Sequence, residues 1–226
     1  MCGRYVAATP PAQLAELFGV TDVRAGDLGA RWNVAPTLDV YAVATGSDGE
    51  RRLGTFRWGL VPWFAKDPTG AAKMINARSE TVAEKPAFRR SLERRRCIVP
   101  ADGFYEWLRA GKERLPHLFS AADGSVLGFA GLWEVWRSKD DPDAEPLRTC
   151  TILTTHANAT MRPIHDRMPV VLPPSAWDRW LDPSVRQPAD VLDLLVPASD
   201  GLLVRRAVST NVNNVKNEGA ELLSSA

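Results

Sequence analysis

Almost every apolar run in this chain has the length of a β-strand. Residues 38–44, 51–58, 97–100, 104–107, 117–120, 126–135, 148–155, 169–172 and 202–208 are rich in β-branched and aromatic side chains. Gly, Pro, Asn and Asp clusters bound them, which reads as strands separated by turns. Gly46-Ser47-Asp48-Gly49 joins the first two as a hairpin, and 137–145 reads as a charged hairpin loop. Helical signals are short. Thr9-Pro10-Pro11 opens one, with Thr9 as N-cap and Gly19 as its end. Ser79 or Glu80 starts a second that Pro86 interrupts, 87–96 is a third, Pro174-Ser175 opens a fourth through 181, and 189–195 is a fifth. The arginines of 87–96 read as a solvated face near a helix C-terminus. Many strands and short helices predict an α+β fold: one β-rich domain over 1–226, with a curved, largely antiparallel, barrel-like sheet and short peripheral helices.

The charge balance excludes a global basic field. Lys plus Arg is 28 against Asp plus Glu 27, so a nucleic-acid site must be a local patch. Cys2, Cys97 and Cys150 lie far apart with no ligand spacing, which predicts neither a disulfide framework nor a metal site. No apolar run approaches the ~18 residues of a membrane helix. The expectation is a soluble, cytoplasmic protein without cofactor.

Cys2 is the candidate nucleophile. If Met1 is removed, Cys2 carries an α-amine and a thiol two carbons apart. Such groups have ordinary pKa values of about 7.7–8.0 and 8.5, so both are partly deprotonated near neutral pH. An aldehyde is their natural partner: the amine forms an imine, and the tethered thiol closes onto it as a thiazolidine. On this stretch alone, a frayed tail is the better explanation of Cys2, and the rest of the chain has to overturn it. Cys97 and Cys150 fall on buried strands and are expected to be inert.

Four other stretches hold polar groups that a plain core does not need. Asn76 and Arg78 lie two apart in an extended segment, though a helix entry capped by Ser79 fits as well. Glu106 sits between Tyr105 and Trp107, where desolvation would raise its pKa and suit it to proton transfer, though an exposed strand glutamate fits too. Ile164-His165-Asp166-Arg167-Met168-Pro169 brings an imidazole, a carboxylate and a guanidinium together, or forms a simple turn. The Asn-rich stretch 211–217 is either functional or a capped turn. No nucleophile elbow, phosphate loop or zinc-deaminase signature is present.

Seven motifs occur in one order: Met1-Cys2-Gly3-Arg4-Tyr5, Arg31-Trp32-Asn33-Val34-Ala35-Pro36-Thr37, Trp58-Gly59-Leu60-Val61-Pro62, Ile75-Asn76-Ala77-Arg78-Ser79-Glu80-Thr81, Asp102-Gly103-Phe104-Tyr105-Glu106-Trp107, His165-Asp166-Arg167-Met168-Pro169 and Asn214-Val215-Lys216-Asn217. Together they resemble the abasic-site-processing proteins, the SOS-response-associated peptidase family, from residue 1 to about 223. The resemblance implies a monomeric sensor of abasic sites in single-stranded DNA, cytoplasmic and nucleoid-associated if bacterial. It implies a covalent thiazolidine crosslink through mature Cys2, with Asn76, Glu106 and His165 around it. Met1 would leave either by autoproteolysis or through a host aminopeptidase, and a weak lyase activity through the imine is compatible with such a sensor. Arg4, Arg78 and Arg167 fall where the family holds phosphates. Pro36, Trp58, Trp63 and Phe64 fall near its wedge and stacking surface, Asn33 is assigned to DNA binding, and Thr154 lies on a strand lining the site. An N-terminal-cysteine peptidase and a non-covalent single-strand-binding module remain as alternatives.

Overall fold

Strand-length alternation becomes thirteen strands in the computed structural model, which describes residues 2–225. The order is β1 (Tyr5–Ala7), α1 (Pro11–Leu17), β2 (Asp22–Val23), β3 (Arg31–Val34), β4 (Asp39–Thr45), β5 (Arg51–Trp58) and β6 (Asn76–Arg78). Then come α2 (Pro86–Arg94), β7 (Arg96–Ala101), β8 (Gly103–Ala110), β9 (Glu113–Ala121), β10 (Leu127–Trp136) and β11 (Leu147–His156). The chain ends through β12 (Arg167–Pro169), α3 (Pro174–Leu181) and β13 (Leu203–Ala207). The α+β expectation is met, with strands dominant.

Five strands close on themselves. β11, β10, β7, β4 and β5 are antiparallel neighbours, and a parallel pairing of β11 with β5 at Cys150↔Trp58 completes the ring. Period-two alternation then divides side chains between inside and outside. Val40, Ala42, Phe56, Trp58, Cys97, Val99, Phe129, Cys150 and Ile152 share the inner cluster. Tyr41, Val43, Leu53, Ile98, Leu132 and Leu153 share the outer one, covered by Trp177, Trp180 and Leu181 of α3. Close packing inside the ring requires Gly131, where a Cβ would stand 2.9 Å from the Cys97 sulfur. Each large buried side chain contributes about 1.5–3 kcal/mol.

A second sheet, ordered β13-β9-β8-β1-β3, lies over one mouth of the barrel. Its Tyr5, Phe104 and Phe119 join the inner cluster, as does Cys2 ahead of β1. The Tyr5 ring meets Trp58 edge-on at 5.2 Å and Phe129 at 6.3 Å. This placement carries the N-terminus into the protein rather than away from it.

Several local expectations are corrected. Thr9 does not cap α1: its hydroxyl donates to Asp102, and Pro10 takes the cap position. Residues 79–84 are turns, Lys85 is the extended N-cap, and Pro86 begins α2 rather than interrupting a helix, because its missing N–H suits a first turn. Arg96 is not on a solvated face: it is buried, donating to the carbonyls of Trp180, Leu92 and Asp182. The 189–195 segment forms two 3-10 turns, Pro188–Asp190 and Leu192–Leu194. Among the described residues no helix is long and apolar enough to cross a membrane.

Candidate active site

Register brings the first residues to Glu106. β1 runs antiparallel to β8 with Tyr5↔Phe104, and the Tyr105 N–H donates to the Arg4 carbonyl at 2.9 Å. Continuing that ladder sets Gly3 opposite Glu106 and Cys2 just beyond it. From the other side, β6 pairs in parallel with β11 through Asn76↔Ile152. The Asn76 side-chain amide there donates 2.7 Å to the Cys2 carbonyl. His165 comes from the segment between β11 and β12, which Asn158 and Met161 fold back. Asn158 Oδ1 accepts from the Met161 N–H at 3.0 Å, and the Met161 carbonyl accepts from the His165 N–H at 3.1 Å. The structure therefore brings Cys2, Asn76, Glu106 and His165 together. Met1, whose removal the sequence analysis anticipates, lies outside the described residues.

A cleft of about 660 Å³ opens beside them, lined by Gly3, Glu106 and His165 together with Trp107, Arg109 and Arg114. Burial raises the Glu106 carboxyl above its usual range, and the nearby His165 opposes that shift. Burial also drives the Cys2 thiol well up; the charge of Glu106 adds to this, and the Arg4 backbone N–H opposes it. The expectation of a partly ionised Cys2 thiol is thus corrected: a fully buried sulfur beside a carboxylate stays protonated near neutral pH. Cys97 and Cys150 are likewise buried with raised thiols, in line with inertness. Asn76 Oδ1 is buried without a hydrogen-bond partner among the described residues. His165 Nδ1 accepts from the Arg167 N–H at 3.0 Å. Asp166 Oδ1 lies 2.9 Å from the same nitrogen. Among the described residues no group of His, Cys, Asp and Glu could hold a metal ion.

The residues assigned to DNA divide sharply. Trp63 and Phe64 stand exposed at 51% and 46%, edge to face at 5.7 Å, with Arg90 over the Trp63 ring. Arg78 is exposed and Pro36 half-buried beside Thr37, whose φ of 72° is unusual for a β-branched residue. Trp58, Asn33 and Thr154 are corrected, since none has surface to offer a strand. Trp58 is fully buried and donates its indole N–H to the Ile75 carbonyl at 2.9 Å. Asn33 is fully buried, accepting from Arg4 at 2.7 Å and donating to the carbonyls of Asn214 and Asn217. Arg4, also buried, reaches the Val212 carbonyl, so this pair fastens the Asn-rich tail over β1 and β3. Thr154 is buried within β11. Arg167 makes a two-pronged pair with Glu80 and donates to the Thr154 carbonyl at 2.6 Å.

Sequence reasoning missed Trp107, Arg109 and Arg114 as cleft residues. Arg109 and Arg114 face each other directly across β8 and β9, an arrangement of like charges that costs stability unless an anion joins them. The Trp107 ring lies 5.4 Å from the Arg114 guanidinium, and its N–H donates to Asn213 at 2.5 Å. A tryptophan with arginines on both arms of one tight hairpin is the signal that was available.

The sequence profile of the SOS response associated peptidase family matches residues 1–215. The chain belongs to this family. Among SOS response associated peptidase relatives, it is 42% identical to the abasic site processing protein YoaM of Bacillus subtilis, over 99% of this chain and 97% of that protein. It is 33% identical to the abasic site processing protein YedK of Escherichia coli, over 85% of this chain and 83% of that one. It is also 36% identical to the abasic site processing protein HMCES of Xenopus tropicalis, over 77% of this chain and 57% of that longer protein. A crystal structure of a Bacteroides thetaiotaomicron protein superimposes with a TM-score of 0.88 at 25% identity, covering 100% of both chains. The barrel and its covering sheet are thus an architecture shared with that structure.

Proposed function

We propose that this protein processes abasic sites in DNA by covalent capture on Cys2, after loss of Met1. The observation that carries the reading is the grip of Asn76 on the Cys2 carbonyl, which holds an N-terminal residue against the Glu106 carboxyl beside an open cleft. The names of its relatives, abasic site processing proteins, agree with it.

The chemistry follows the site. The ring-opened sugar of an abasic site is an aldehyde. The Cys2 amine adds to its carbon, and the resulting carbinolamine loses water to give an imine. The thiol adds to the imine carbon, its proton ends on nitrogen, and a thiazolidine forms; the sum is aldehyde plus aminothiol to thiazolidine plus water. Because the thiol is protonated, the amine attacks first and the sulfur needs a base to close. Glu106 does both proton transfers: its raised pKa lets it protonate the departing hydroxyl, and the carboxylate so formed takes the thiol proton. His165 Nε2 assists opening of the cyclic sugar. Asn76 Oδ1, buried without a partner, accepts from the reacting amine or a sugar hydroxyl. The lesion is reached as a single strand, since a paired sugar is hidden in the duplex. Trp63 and Phe64 stack on neighbouring bases, and Arg78, Arg109 and Arg114 meet phosphates. A weak lyase activity would branch from the imine: it acidifies the neighbouring C2′ proton, a base removes that proton, the C3′–O bond breaks with the 3′-phosphate as leaving group, and hydrolysis of the resulting unsaturated imine frees the Cys2 amine.

The test is a denaturing gel of purified protein with abasic single-stranded DNA. A heat-stable shifted band is expected from the parent and none from Cys2→Ser, which keeps non-covalent binding. Equal heat-stable bands from both would sink covalent capture by Cys2. Binding with no band from either would favour a non-covalent single-strand module. Peptide turnover dependent on Cys2 would favour a peptidase.

A further inference from the structure

The barrel has a second mouth. Its interior runs from Tyr5 and Trp58 beneath the covering sheet to Phe56 and Trp133, whose rings meet edge-on at 5.7 Å. Beyond them opens a cavity of about 240 Å³ floored by Ala44, Gly54, Phe56, Trp133 and Val135. It shares Thr45, Gly46 and Trp133 with a neighbouring hollow of about 500 Å³, so the two form one groove. Two glycines shape it. A Cβ on Gly46 would stand 1.9 Å from the Arg52 guanidinium, and one on Gly54 3.1 Å from the Phe56 ring. Their absence lets Arg52 lie across the rim and Phe56 lie flat along β5.

Six arginines rim this groove: Arg24, Arg52 and Arg148 on one side, Arg94, Arg95 and Arg186 on the other. Three acids answer them. Asp22 pairs with Arg24 and Arg52, Asp48 with Arg52, and Glu134 with Arg95. Arg94, Arg148 and Arg186 are exposed and have no acidic partner among the described residues. Arg95 feels this excess: burial lowers its pKa, and the charges of Arg90 and Arg94 lower it further. Its guanidinium lies 5.2 Å from the Trp133 ring. In a chain of net charge +1, such local repulsion is a cost that a bound polyanion relieves.

We infer that the arginine-rimmed groove over Phe56 and Trp133 is a second nucleic-acid contact, which takes a base of a single strand against Trp133 and the flanking phosphates on Arg94, Arg148 and Arg186. An aromatic floor ringed by guanidiniums is the combination that holds single strands without reading sequence. The groove is separate from the Cys2 cleft. On β11, Arg148 stands four residues before Ile152, the partner of Asn76, or about 13 Å along the strand. A strand engaged at both places would run over the barrel from one mouth to the other.

The test uses the whole protein with Arg148→Glu and Arg186→Glu combined, checked for parental melting behaviour. Two substrates are compared: a long undamaged oligothymidylate, followed by fluorescence anisotropy across salt, and a short abasic oligonucleotide that spans only the Cys2 cleft. For the long strand, affinity should fall roughly tenfold and the salt slope by about 1.4, or about 0.7 for each lost phosphate contact. Crosslinking of the short one should keep its parental rate. Parental affinity and slope on the long strand would overturn the inference, as would binding of heparin without binding of oligothymidylate. An equal loss on both substrates would also overturn it, by making the groove part of the first cleft. Because undamaged DNA reports on the groove, failure of covalent capture would leave this result readable.

Discussion

The side chain of Asn76 holds the backbone of Cys2, through a 2.7 Å hydrogen bond between residues 74 apart in the chain. First residues ordinarily fray. Here a short strand added in parallel to β11 supplies the donor, and the covering sheet buries what it holds. The amide uses its N–H on Cys2 and keeps its oxygen turned to a buried space with no partner among the described residues. The position of Cys2 thus rests on one end of this side chain, and the proposed part in capture falls to the other.

Asn76→Asp should separate those ends. A carboxylate keeps the acceptor and loses the donor, so the Cys2 carbonyl is released and faces a negative charge. Crosslinking should slow while affinity for undamaged single strands stays within about twofold. The measurement is single-turnover crosslinking beside anisotropy. Unchanged crosslinking would remove Asn76 from the reaction.

Glu106→Gln should slow crosslink formation by ~10²–10⁴-fold, and its reversal too, because the same protons move in both directions. Stability gives a second readout. Burial raises this carboxyl above 4.5, so the folded state holds its proton to higher pH than the unfolded chain. Glu106 therefore favours folding fully below 4.5, and that contribution is lost as pH rises through the folded value. The Gln variant lacks this loss, so its stability relative to the parent should climb with pH over that window. Urea midpoints across pH check the sign; a flat difference would show that Glu106 titrates as an ordinary carboxyl.

Arg78→Ala and Arg167→Ala should behave differently. Arg78 is exposed, so its loss should lower the salt slope of strand binding by about 0.7 with little change in melting. Arg167 is committed to Glu80 and the Thr154 carbonyl, and its loss should cost about 1–3 kcal/mol of stability. Thermal melts and salt titrations of both variants test this. A normal melt with a reduced slope for Arg167→Ala would return it to phosphate binding.

Trp58→Ala and Trp63→Ala should separate in the same way. Trp58 fills the barrel and should cost about 3–5 kcal/mol of stability. Trp63 is half exposed and should instead cost about 1–3 kcal/mol of single-strand affinity through lost stacking. Denaturation and anisotropy distinguish them, and a Trp63 variant with parental affinity would count against the stacking role.

The strands were legible because short apolar runs with strand propensity stop at turn residues, so 51–58 and 148–155 appear almost unchanged as β5 and β11. The closure of the barrel was not. Cys150↔Trp58 is a parallel contact between distant segments, and no local pattern encodes it. That contact also explains the misreading of Trp58, whose Gly-bounded aromatic segment looks like surface until closure puts it inside. Arg96 misled for a similar reason. It follows a run of exposed arginines, yet one step past α2 the chain turns inward, and its guanidinium collects three carbonyls there. At the site, Cys2, Asn76, Glu106 and His165 stood out because polar groups in such settings need a reason. Trp107, Arg109 and Arg114 did not, since each alone suits an exposed hairpin.

Burial of Cys2 also bears on how long the protein lasts before use. Oxidants and alkylating agents attack the thiolate, and a sulfur held protonated in the interior offers them little of it. Capture by ring closure would spend each molecule once, and a cysteine oxidised to its sulfinic acid is not restored by ordinary reductants. A slower sulfur is then the one that endures. Under the proposed capture, the burial that delays reaction with a lesion would also keep idle copies competent until a lesion arrives.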